Sequence, residues 1–209
     1  GANSFTLHLE PCDGELTTGN MAVAIVNAVH ANAAIIIIPS RIAPSLALLD
    51  AMRMAKSANT IILTAHGYAL VTPNGNRGEY LALTIASVLP NDTPTPIQGP
   101  LGAVDFSLFA VTDSAGELTW PSALNALSPH EKIHALTLIR FACIIGTWLL
   151  RYRGGHVAFR PAKSQPYLEF LHKILSSSVM QLPQWPRNML GKGILDEARF
   201  LQSRNSDDL

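Results

Sequence analysis

Short blocks of apolar residues, each with its own spacing, divide this chain into predicted elements. From Ser4 to Glu10, Phe5, Leu7 and Leu9 alternate with Thr6 and His8, the two-residue period of a half-buried strand, and Asp13-Gly14 then turns the chain. Between Thr18 and Asn32, the residues Met21, Val23, Ile25, Val26 and Val29 recur at helical spacings, with Thr17 or Thr18 available as the cap. Ala34 to Ile38 is an isoleucine run stopped by Pro39, and such a run suits a strand covered on both faces. Ser45 to Lys56 predicts a second helix, with Leu46, Leu48, Leu49 and Met52 on one face. Ile61 to Leu63 predicts a second buried strand, which leads into Thr64-Ala65-His66-Gly67.

An order of strand, helix, strand, helix and strand predicts an α/β sheet with right-handed crossovers. Ligands in such sheets gather beyond the carboxyl ends of the strands, which is where His66 falls. Further on, Tyr68 to Tyr80 reads as a hairpin, Leu81 to Leu89 as a short helix, and Asn91 to Pro100 as a surface loop. Phe106 to Val111 reads as a strand, Asp113-Ser114-Ala115-Gly116 as a turn, and Ser122 to Leu127 as a helix. Ser128, Pro129 and Glu131 make a strong helix start. The stretch from there to Arg153 supports two readings. In one, a single helix runs the whole way and Cys143 is a buried, inert thiol. In the other, Leu136 to Phe141 is a strand and Gly146 marks a turn into a helix. Local pattern does not choose between them. Tyr167 to Leu175 and Ile194 to Gln202 read as late helices, before a frayed tail from Ser203.

With 209 residues, 48% hydrophobic and 14% charged, and a mean hydropathy of +0.21, the chain is expected to form one α/β domain over residues 1–209. Fifteen Lys plus Arg balance fifteen Asp plus Glu. The resulting neutrality removes the long-range attraction that nucleic-acid or anionic-membrane binding needs, so a peptide, protein or small-molecule substrate is expected. Met21 to Pro39 is uncharged, but Asn27, His30 and Asn32 interrupt it, against the roughly 20 apolar residues of a membrane span. Two distant cysteines, Cys12 and Cys143, and the absence of a signal-peptide pattern point to a reducing, cytoplasmic setting.

An ordered set of pieces between residues 61 and 175 carries a family resemblance. An apolar strand ends in His66-Gly67. A strand from Ser107 to Ala110 leads through a turn to Gly116-Glu117-Leu118-Thr119. A second apolar strand ends in Ala142-Cys143-Ile144-Ile145-Gly146. Gly154-Gly155 then precedes a strand, His156 to Phe159, with Pro161 after it and the helix from Tyr167 closing the set. In this order the chain resembles the CHAT group of caspase-like cysteine peptidases, with residues 176–209 as a C-terminal extension. The resemblance implies a caspase-like three-layer sandwich: a mostly parallel central sheet flanked by helices.

The resemblance also implies a chemistry. Cys143 attacks the scissile carbonyl of a protein or peptide substrate, and His66 activates the thiol and protonates the leaving amine. A free thiol is only a few per cent ionised at neutral pH, so the base is required. The backbone amides of Gly67 and Cys143 hold the oxyanion. From the residues alone, Asp113 can pair with a basic group of the substrate if it lines the pocket, although Asp-Ser-Ala-Gly is more often a plain turn. No cofactor is implied, and an activating partner or ligand is compatible with the family. Two alternatives stand beside this. His130-Glu131-Lys132-Ile133-His134 spells H-E-x-x-H, whose two histidines on one helical face suit zinc. The third reading is a non-catalytic α/β binding or scaffold domain. His172 and the tryptophans read as structural, and Arg151, Arg153, Arg160 and Lys163 as a solvated basic face.

Overall fold

The computed structural model describes residues 17–39, 45–65, 81–89, 104–110, 128–153, 167–185 and 187–203. The predicted strand at 4–10, the hairpin, the loop at 91–100, the helix at 122–127 and the strand at 156–159 lie outside these residues. The first half of the fold follows its local signals closely. Helix α1 (Thr18–His30) starts where the Thr17 hydroxyl accepts the Asn20 amide at 3.2 Å, and α2 (Leu46–Ser57) where Ser45 does the same for Leu48 at 3.2 Å. Each helix is followed, one residue past its C-cap, by an asparagine in the left-handed region, Asn32 at φ 58° and Asn59 at φ 61°. Asparagine is the non-glycine residue that best tolerates this reversal. The chain turns there into β1 (Ile35–Ile38) and β2 (Ile61–Thr64). The Thr60 hydroxyl, donating to the Ala33 carbonyl at 2.9 Å, ties the two strand entries together.

Next come β3 (Leu83–Val88), β4 (Phe106–Phe109), α3 (Pro129–Arg153) and α4 (Tyr167–Ser177). The chain closes with β5 (Val179–Met180), α5 (Arg187–Leu190), β6 (Ile194–Leu195) and α6 (Glu197–Gln202). The strands form one six-stranded sheet in the order β1-β2-β3-β4-β6-β5. Every neighbouring pair is parallel except β5 with β6. Side-chain alternation assigns the layers. Ile61, Leu63, Leu83, Ile85, Phe106 and Leu108 pack with α3, α4 and α6, whereas Ile38 and Ile62 pack with α1 and α2. The far end of that second face, at Val88 and Ile194, is covered by Leu190, Leu182 and Trp185. The expected α/β class with a mostly parallel sheet is therefore present.

Two predicted elements are corrected. Residues 81–89 hold a strand, not a helix: all six residues of β3 are buried, and pairing with β2 on one side and β4 on the other satisfies its backbone. Ile194 to Gln202 is not one helix but a two-residue strand followed by α6, because the Asp196 carboxylate accepts the Arg199 amide at 3.0 Å and caps the helix there. The trailing segment is held down at Ser203. The Trp148 indole N–H donates to the Ser203 carbonyl at 3.3 Å, and the indole stacks on Phe200 with centroids 5.5 Å apart.

Candidate functional site

Residues 129–153 form a single helix, and this decides the site. The start of α3 is a capping box in which Ser128 and Glu131 satisfy each other's amides, at 3.0 Å for Ser128 N–H to Glu131 and 3.4 Å for the reverse. His134 meets Ser87 at the carboxyl end of β3, while Phe141, about two turns later, stacks with Phe106 at the amino end of β4. Helix α3 thus runs antiparallel to the strands and presents its N-terminus at their carboxyl edge. Leu138, Phe141, Ile145 and Trp148 pack into the core, and Ala135 and Leu136 are buried as well. The span Glu131–Leu150 is long and apolar enough to cross a membrane, and its burial against the sheet accounts for that composition.

Cys143 is therefore not at a strand end. It sits in the middle of α3, exposed, and desolvation by burial pushes its thiol above its ordinary value. Activation of a cysteine requires the opposite shift. Gly146, read as a turn, is a buried residue within the helix. The Leu136 to Phe141 strand and the Cys143/His66 dyad are overturned together, and with them the oxyanion role of the Cys143 amide, which as a mid-helix amide belongs to the helix ladder. His66, Gly67 and Asp113 lie outside the described residues. His66 directly follows Ala65, the last described residue at the carboxyl end of β2.

The H-E-x-x-H residues are given other tasks. Glu131 is committed to the cap, where the Ser128 hydroxyl donates to its carboxylate at 2.7 Å. His134 points into the protein, 2% exposed, with Nδ1 3.2 Å from the Ser87 hydroxyl. The His130 side chain lies outside the described residues, and among the described residues no three His, Cys, Asp or Glu side chains gather as a metal site.

The polar cluster that does form at the carboxyl side of β3 is one that sequence reasoning did not assemble. Ser87 Oγ donates to Thr137 Oγ1 at 2.8 Å, and Thr137 Oγ1 donates to the Ile133 carbonyl at 2.9 Å. His134 Nδ1, the Ser87 hydroxyl and the Thr137 hydroxyl thus form one buried hydrogen-bonded cluster that joins α3 to β3. Ser87 and Thr137 are fully buried. The signal in the sequence was a lone hydroxyl at each of two apolar positions, facing a histidine that had been read only as a metal ligand. A little further along α3, the half-exposed Arg140 guanidinium reaches the carboxyl end of β4. It is 3.5 Å from the Phe109 carbonyl and 3.3 Å from Glu197 on α6. His172, read as structural, lies at the opposite edge of the sheet, 5.0 Å from the Phe106 ring and 3.7 Å from Asp105.

No family model matches this chain, and no curated protein matches it. Solved structures do. The chain is similar to a lanthipeptide protease, with a TM-score of 0.59 and 15% identity over 88% of this chain and 66% of that one. It is similar to the epidermin leader peptide processing serine protease of Staphylococcus aureus, with a TM-score of 0.54 and 14% identity over 92% and 56%. A third is fervidolysin of Fervidobacterium pennivorans, a keratinolytic enzyme related to subtilisin, with a TM-score of 0.55 and 13% identity over 90% and 29%. At these identities the shared property is the fold. This chain has the α/β fold of subtilisin-like serine proteases and spans at most about two thirds of the length of the three. The caspase-like resemblance, and the cysteine-type peptidase it implied, are corrected by these neighbours and by the helix that contains Cys143.

Proposed function

We propose that this chain acts on peptide or protein substrates as a peptidase-fold domain of the serine type. The observation that supports it is the match of about nine tenths of this chain to solved proteases, one of them a leader-peptide processing serine protease. The substrate lies across the carboxyl edge of the sheet, where α/β folds of this kind bind ligands. Its nucleophile is not Ser87, which is fully buried beneath α3. Apart from the helix caps Ser45 and Ser128, the serines beyond that edge in sequence are Ser40, after β1, and Ser114 and Ser122, between β4 and α3. The test is labelling of the full chain with a fluorophosphonate probe, alongside cleavage of denatured casein. Labelling and cleavage that vanish on alanine replacement of one of these three serines, and survive Cys143→Ser, support the reading. Absence of both in the wild-type chain overturns it.

A second reading, a peptide-binding domain without catalysis, is favoured by one observation. The serine and histidine that meet among the described residues, Ser87 and His134, are both buried and out of reach of a substrate. Retention of peptides by the chain with no fluorophosphonate labelling would select it.

A further inference from the structure

Arg140 is a charged side chain that reaches the carboxyl end of β4, and among the described residues its own requirements are half met. A guanidinium carries five N–H donors in a planar fork. Arg140 uses two among the described residues. Nη1 donates to the Phe109 carbonyl at 3.5 Å, the outer limit for such a bond, and Nη2 faces Glu197 at 3.3 Å, long for a charge-assisted pair. The Arg140 side chain is 41% exposed and that of Glu197 43% exposed, so this is an open ion pair of little energy. The backbone around it is fixed: α3 is packed along its length, and Asp196 caps α6 immediately before Glu197. A solvent-facing guanidinium with three donors unused among the described residues, at the edge where this fold class takes its ligands, suits a carboxylate.

We propose that Arg140 anchors a carboxylate of the bound peptide, making the preferred ligand an acidic peptide. The carboxylate takes the free edge of the fork in the bidentate geometry that arginine favours. Glu197 is the intramolecular competitor: its charge occupies one side of the fork in the free protein and opposes an incoming anion. The proposal rests on the reading that the ligands are peptides, whether or not they are cleaved. An acidic side chain and a free C-terminus offer the same group, so the experiment separates them.

The full chain is immobilised and exposed to an equimolar synthetic library of random heptapeptides, made once with free and once with amidated C-termini. Captured peptides are sequenced by mass spectrometry. The wild-type chain is expected to enrich Asp and Glu roughly threefold to fivefold over the input, the scale of a half-exposed ion pair. Arg140→Gln abolishes the enrichment while still capturing neutral peptides, and Glu197→Gln increases it. Enrichment that persists in the amidated library assigns the carboxylate to a side chain. Capture that is Arg140-dependent and falls across the whole library on amidation assigns it to the C-terminus. Capture that is indifferent to acidity, amidation and Arg140→Gln alike overturns the proposal and leaves the peptide reading standing. No capture by the wild-type chain overturns the peptide reading, and the proposal with it. Far-UV circular dichroism of each variant confirms the fold, which a pair this exposed does not govern.

Discussion

Helices α2 and α3 lie on opposite faces of the same sheet, and they teach different things about how sequence encodes a helix. In α2, Leu48, Ala51, Met52 and Ala55 make one buried stripe, while Leu46, Asp50 and Arg53 meet solvent. Its periodicity is plain because only one face is buried. In α3, residues 134–138 are buried without a break, and Phe141, Ile144, Ile145, Trp148 and Leu149 continue the burial. The less buried stripe of α3 runs through Ile139, Cys143 and Thr147 and carries no charge, so the polar face that would reveal the period is missing. Polarity is also arranged differently. The Asp50 and Arg53 side chains of α2 pair at the surface at 2.9 Å, whereas α3 carries a histidine and a threonine into the interior, where they bond Ser87 on β3.

The contrast can be broken or sharpened by substitution. The largest effect is expected from Phe141→Ala in the fully buried layer of α3, about 3–5 kcal/mol in urea unfolding. Leu46→Ala, on an α2 residue that is 78% exposed, should cost less than about 0.5 kcal/mol. Equal costs would show that the two helices do not differ in burial as described. Ser87→Ala removes the buried hydroxyl that His134 Nδ1 and Thr137 share, for about 1–3 kcal/mol by the same measurement. A neutral result would mean the hydroxyl cluster does not fasten α3 to β3. The caps should erase the difference between the helices. Ser45→Ala in α2 and Ser128→Ala in α3 should each cost about 1 kcal/mol, since both remove one amide acceptor at a helix start.

The smallest effect belongs to Cys143→Ser, expected within about 0.5 kcal/mol at this exposed position. Its chemistry gives a clearer readout. A thiol pushed upward by desolvation holds less thiolate at every pH than a free cysteine. Iodoacetamide alkylation of Cys143 should therefore be slower than that of glutathione near pH 7 and keep rising past the range in which an ordinary thiol titrates. A rate that levels off below about pH 8 would refute the shift.

What could be read from the chain follows the same division. The caps at Thr17, Ser45 and Ser128, the two isoleucine-rich strands and α4 are local features, and each residue pattern states its own case. Strand β3 was misread because Leu81, Ala82, Leu83 and Ala86 favour helix when taken alone, and only its two parallel neighbours make the extended form better. At Cys143 the local pattern is balanced between helix and strand, and the packing of α3 along the sheet decides for helix. The site was less legible than the fold because its groups are far apart in sequence. Ser87 and His134 meet through the packing of α3 on β3, and Arg140 matters only because Phe109 and Glu197 come to it. No spacing rule within one segment announces such a meeting.

The sheet order also has a consequence in time. Strand β4 gains its first neighbour, β3, from the preceding stretch of chain, but its second neighbour is β6, formed by Ile194 and Leu195 after α3 and α4 have been made. During synthesis at about 5–20 residues per second, β4 and the underside of α3 must wait several seconds with an unpaired edge. A ribosome-bound chain stalled just after α4 would therefore carry β4 with one edge still open to other partners. Arrival of β6 and α6 completes the pairing of β4 and brings Phe200 onto Trp148.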